Sequence, residues 1–157
     1  MKEVFIPNQD HVFCRIGVDF ISSKDHKPRA SAFRNTPVTG NNLSCDWDKY
    51  CTAESSRALI GRQFNSRTGK PKDPAKFYIY KFNVGDVRNM NFRGREQEIE
   101  HDPIYNNPET EGVPNNVAHS IMIGNKGDDE EFRIKLVETG SWAIGPTSIL
   151  TTIDRTV

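Results

Sequence analysis

The chain has 157 residues, 35% of them apolar and 27% charged, with nine Phe, four Tyr and two Trp. That is rich enough in core formers to exclude a disordered chain, and the length suits one domain over 1–157. Net charge is zero, but residues 1–80 carry 13 Lys/Arg against 8 Asp/Glu and residues 81–157 carry 8 against 13, so wholesale nucleic-acid binding is not indicated while one basic face is allowed. Three cysteines without Cys-x-x-Cys spacing argue against a disulfide framework and against structural zinc. No stretch approaches the roughly 18 apolar residues of a membrane helix, and the N-terminus lacks a signal core, which predicts a soluble, cytoplasmic protein with no membrane partner.

In chain order, "HVFCRIGVDFI" (11–21) predicts a first strand with Arg15 in its middle. The Ser-, Pro-, Gly- and Asn-rich stretch 22–42 predicts a long loop, and "LSCDW" (43–47) a short apolar segment after it. Thr52 is a suitable N-cap for a helix over roughly 53–64, with Leu59, Ile60 and Phe64 toward a core. "KFYIYKFNVGDV" (76–87) is the clearest strand, apolar on both faces as a central strand is. "EQEIEHDP" predicts a short strand ending at Pro103, and "NVAHSIMIG" (116–124) a second buried strand. "EFRIKLV" (131–137) alternates like a half-exposed strand, although Phe132 and Leu136 are also four apart, as on a helix. "TGSWAIGP" predicts a turn and a last short strand. The sum is an α+β domain: a central, mostly antiparallel sheet of about five or six strands, one main helix and long polar loops.

Six polar residues are candidates for chemistry. Arg15 lies between apolar neighbours, so it either pairs with Asp46 or Asp48 or binds an anionic substrate group through its planar donors. Ser44 and Asp46 alternate around Cys45 and share a face, placed to hold a ribose or another hydroxyl, or to make local turn bonds. His119 points with Val117, Ile121 and Ile123, and is either a buried, hydrogen-bonded core imidazole or an acid–base group; Ser120, on the other face, reads as structural. His101 and Asp102 stand at a strand exit before Pro103, where site residues are common, but adjacent strand residues face opposite ways.

The phosphate-loop, dinucleotide-fingerprint, HExxH and GxSxG patterns are absent. His101, His119 and Asp102 have no informative metal-ligand spacing, so no metal is assigned. "RNMNFRGRE" (88–96) mixes Arg and Phe as an RNA-stacking segment does, and a solvated turn explains it better.

The pieces "CRI", "SAF", "LSCDW", "HDP" and "NNVAHS" resemble the pattern of a family of short bacterial proteins, itself uncharacterised, across roughly residues 12–124. A looser similarity is to the ADP-ribosyltransferase-like fold, which uses a first-strand Arg or His, a second-strand Ser or Thr followed by a helix, and a late acidic residue. "CRI" and then "LSCDW" followed by "TAESSRALI" is similar in order; the late acidic residue has no counterpart, and His119 or the His101–Asp102 pair stands there instead. The first resemblance brings no function with it and the second concerns fold; the leading expectation is a small enzyme or former enzyme with one polar cleft, acting on NAD, a nucleotide or an RNA phosphate, with NAD as a candidate substrate and no separate cofactor. In it Arg15, Ser44 and Asp46 bind substrate, and His101, His119 and Asp102 form the catalytic group. The alternatives are a non-catalytic module whose loops 22–42 and 103–116 recognise a protein partner, and an RNA-binding module using the basic first half.

Overall fold

The computed structural model describes residues 2–35, 40, 42–65, 67–94, 96–105, 114–124 and 129–146. Six strands form one sheet: β1 (His11–Gly17), β2 (Leu43–Trp47), β3 (Phe77–Asn83), β4 (Glu98–His101), β5 (His119–Ile123) and β6 (Ser141–Ile144). Their spatial order is β4-β5-β2-β1-β3-β6, with every neighbouring pair antiparallel. Among the described residues three helices accompany it: α1 (Ala53–Ala58), α2 (Val84–Arg88) and α3 (Glu130–Thr139). The α+β expectation holds.

Because strand residues alternate, the sheet has two distinct faces. One carries Val12, Cys14, Ile16, Cys45, Trp47, Tyr80, Phe82, Ile99 and Met122, packed with Phe33, Phe132 and Leu136 into the hydrophobic core. Each large side chain fully removed from water there contributes about 1.5–3 kcal/mol. The other face carries Phe13, Arg15, Ser44, Asp46 and His119, with α1 lying across β1 and β3. Arg15, Ser44, Asp46 and His119 therefore sit opposite the main core.

Three local outcomes differ from the sequence expectation. The strand anticipated over 76–87 ends at Asn83, because the Asn83 carboxamide accepts from Asp86 N at 2.9 Å and caps α2, while Val84 N and Gly85 N turn back to Asp10 O and Asn8 O. The segment 131–137 is helical: Asp129 caps Glu131 N, and Phe132 and Leu136, four apart, are both buried. The first helix is closed at its start by the Thr52–Ser55 capping box and tightens after Ala58 into a 3-10 turn, Leu59–Arg62.

The β1–β2 ladder is short. β1 is paired with β3 along its whole length, and β2 with β5 from Leu43 to Asp46, yet β1 and β2 pair only at Val12↔Trp47 and Phe13↔Asp46. Continuing that register would set Arg15 opposite Ser44. The ladder stops before them, and the two backbones border a cleft of about 260 Å³.

Candidate functional site

Asp46 is the hub of the polar face. It is 4% exposed, and its Oδ2 accepts from Arg15 Nη2 at 2.9 Å and from the Ser56 hydroxyl at 2.5 Å. Its Oδ1 accepts from Asn116 Nδ2 at 2.7 Å. A buried carboxylate is tolerable only with such a set of donors. Arg15 spends a second donor, Nε, on Ser56 O at 3.0 Å. The Asp46 partner anticipated for Arg15 is thus present, and both of that carboxylate's oxygens are engaged inside the protein.

Ser44 stands one pleat along from Asp46 and is half-buried on the cleft wall. Its Oγ lies 2.8 Å from His119 Nε2. On the far side of the ring, His119 Nδ1 is 2.7 Å from the backbone carbonyl of Asp102, with the Asp102 carboxylate at 3.6 Å. A carbonyl can only accept, so Nδ1 carries a proton, and in the neutral ring Nε2 presents its lone pair. Ser44 is then the donor, and the pair is a hydroxyl held against a base that a third residue orients. A proton arriving on Nε2 would be stabilised by the nearby Asp102 carboxylate.

The burial and hydrogen bonds expected of a core imidazole are both present at His119. His119 is 6% exposed and both its nitrogens are occupied, as in a core imidazole, but one partner is the hydroxyl that lines the cleft. The register explains the convergence: Asp46 is opposite His119, and Ser44 is opposite Ile121. Arg15 with Asp46, and Ser44 with His119 and Asp102, form two bonded groups on this side of the sheet, of which Arg15, Ser44 and Asp46 line the cleft.

His101 does not join them. Its strand register is with Ser120, which points to the opposite face. There it is 1% exposed, stacked on Tyr50 with centroids 5.4 Å apart and edge-on to Trp47. Its Nδ1 accepts from Glu3 N at 2.9 Å, and its Nε2 donates to Val117 O at 2.7 Å, an arrangement that fixes a neutral tautomer in the core. The carbonyl of Asp102 continues toward the site while His101 points away.

Sequence reasoning missed four contributors. Ser56 and Asn116 complete the Asp46 hub; Ser56 could have been found from its place four residues before Ile60 on the buried side of α1. Arg34 and Lys72 line the cleft from loops, where no periodicity marks them. A larger hollow of about 390 Å³ lies elsewhere, between the N-terminal segment and β4. Three of its charged groups are already paired, Arg88 with Glu98 and Glu3 with Lys49 and Tyr50, while Lys2 and Glu100 also line it.

The thiols are not competing nucleophiles. Burial pushes Cys14 and Cys45 far above the ordinary thiol range, and Cys51 up to about 12. The arginines of "RNMNFRGRE" that are described are also committed, Arg88 to Glu98 and Arg93 to Asp129 and Glu131. Among the described residues no three His, Cys, Asp or Glu side chains gather as a metal would need, and no helix is long and apolar enough to cross a membrane.

No family model, no curated protein and no solved structure matches this chain. Its functional reading rests on the geometry.

Proposed function

We propose that the protein is a small enzyme that transfers a group from an anionic, nucleotide-type substrate such as NAD, with the Ser44 hydroxyl activated by His119. The observation that carries this reading is the 2.8 Å contact between Ser44 Oγ and the unprotonated Nε2 of His119, on the wall of a cleft that also holds Arg15. A serine at its ordinary acidity is a weak nucleophile, and a base positioned on its proton is the usual remedy. As the Ser44 oxygen bonds to C1′ of the nicotinamide ribose, the C1′–N bond breaks and neutral nicotinamide leaves with the bonding pair; the hydroxyl proton passes to Nε2, and the Asp102 carbonyl and carboxylate stabilise the imidazolium. Arg15, 19% exposed and partly neutralised by Asp46, keeps donors for a phosphate or carboxylate of the substrate.

The order of the parts also supports the similarity to ADP-ribosyltransferase-like enzymes: Arg15 on the first strand, Ser44 on the second, a helix after it, and His119 on a late strand where those enzymes place an acidic residue. Fold order alone does not settle a reaction. The test is to incubate the full chain with NAD, with nucleoside phosphates and with a fluorophosphonate probe, following turnover and adducts on Ser44 by mass spectrometry. Labelling or turnover that disappears in Ser44→Ala and in His119→Ala, with circular dichroism unchanged, is the expected result. Activity that survives both substitutions would exclude the assignment.

A further inference from the structure

Two more cations, Arg34 and Lys72, border the cleft, and among the described residues neither is paired with a carboxylate. Arg34 follows the 3-10 turn Ala30–Phe33, whose Phe33 is fixed in the core against Tyr80 and Phe82. Lys72 closes a turn with Gln63 through Lys72 N→Gln63 O at 2.9 Å, next to the Phe64↔Pro71 bridge. Anchored at both places, the two side chains line the same hollow as Arg15 and Ser44. Among the described residues, the Arg34 guanidinium and the Lys72 ammonium have neither an acidic partner nor a hydrogen bond. By contrast, Arg15, Arg88 and Arg93 are each paired with carboxylates.

The charge count is informative. Asp46 offsets Arg15, so Arg34 and Lys72 leave the cleft with two uncompensated positive charges. Like charges in one concave wall repel, and an anion between them removes that repulsion. A phosphate group with a free terminus carries about −1.5 to −2 at neutral pH and has oxygens for both a planar guanidinium and an ammonium. Beyond Ser44 and Asp46 the rest of the lining is uncharged, mostly apolar through Phe13, Leu43, Ile60 and Phe77 with the Gln63 amide beside them, a surface for an uncharged ring rather than for a second ionic group.

We infer that the mouth of the cleft is a phosphate subsite, in which Arg34 and Lys72 hold a doubly charged phosphate of a substrate whose uncharged part lies on the Phe13–Phe77 floor beside Ser44. The inference rests on the reading of Ser44 as the reacting end of the same cleft, and it names the substrate class. The doubly charged group is either a terminal phosphomonoester or a pyrophosphate bridge.

The test is calorimetric titration of the full chain, at low salt, with inorganic phosphate, AMP, NAD and uncharged adenosine. The proteins compared are the wild type, Arg34→Gln/Lys72→Gln and Ser44→Ala. Neither cation supports a contact in the fold, so the double variant folds as the wild type does. The wild type binds AMP or NAD saturably and adenosine at least about tenfold more weakly, tighter AMP indicating a terminal phosphate and tighter NAD a bridge. The double variant loses about tenfold or more for the phosphate ligands and nothing for adenosine, while Ser44→Ala binds as the wild type does. A wild type that binds none of the three phosphates, or a double variant that binds them equally well, overturns the subsite. Neither outcome bears on probe labelling of Ser44, so the two readings fail separately.

Discussion

Ser44 and His119 are 75 positions apart in the chain, yet a 2.8 Å hydrogen bond joins them across β2 and β5. The ring is braced on its other side by Asp102 O, so the serine is the movable member of the pair and the histidine the fixed one.

The two substitutions at this contact should differ in stability. Ser44→Ala removes one hydrogen bond from a half-buried hydroxyl and is expected to cost about 1 kcal/mol. His119→Ala removes a buried ring and strands two partners, and is expected to cost about 2–4 kcal/mol. Urea unfolding of both variants measures this. Equal losses would mark Ser44 as a structural residue.

Asp46 should be the least replaceable residue of the site. Asp46→Ala leaves Arg15, Ser56 and Asn116 without their shared acceptor, and a loss of about 3–5 kcal/mol is expected. Arg15→Met should cost less, since that side chain is 19% exposed, and the double substitution should cost less than the sum of the two. Strict additivity in denaturation midpoints would show that the two residues are not coupled.

His101→Phe separates core from catalysis. The ring can still stack on Tyr50, but Glu3 N and Val117 O lose their partner, for about 1–3 kcal/mol. Probe labelling of Ser44 should be unchanged. Loss of labelling at retained fold would bring His101 back into the site.

Glu3 supplies a pH-dependent contribution. Hydrogen bonds from Lys49 and then Tyr50 hold its carboxyl below the ordinary range. The stabilisation is therefore complete above the unfolded-state value and fades as pH falls through the lower, folded value. The melting temperature of the wild type should exceed that of Glu3→Gln at neutral pH, and the gap should close on acidification. A gap that widens toward acid would reverse the assignment.

Much of this arrangement is legible in the sequence wherever alternation decides it. Ser44 and Asp46 share a face because they are two apart, and Arg15 demands an acidic partner because its neighbours are apolar. His101 and Asp102 must diverge for the same reason, but which of them meets His119 depends on the pairing of β4 with β5, fixed by contacts distant in sequence. The His119–Ser44 contact depends likewise on the β2–β5 register. Arg34 and Lys72 lie in loops positioned by Phe33 and by the Gln63–Lys72 closure, and nothing periodic reports them. The helix α3 shows the opposite failure: its charged residues alternate as in a strand, and the Phe132–Leu136 spacing wins because both side chains are needed in the core.

The short β1–β2 ladder makes the sheet two panels sewn along one edge. One panel, β6-β3-β1, carries Arg15; the other, β2-β5-β4, carries Ser44, His119 and Asp102. Each panel is knitted internally, so the separation of Arg15 and Ser44 is governed by what crosses the seam. The Arg15–Asp46 ion pair is a stitch across that seam. With Ser56, which bonds both partners, it holds the two panels at the point where the cleft opens.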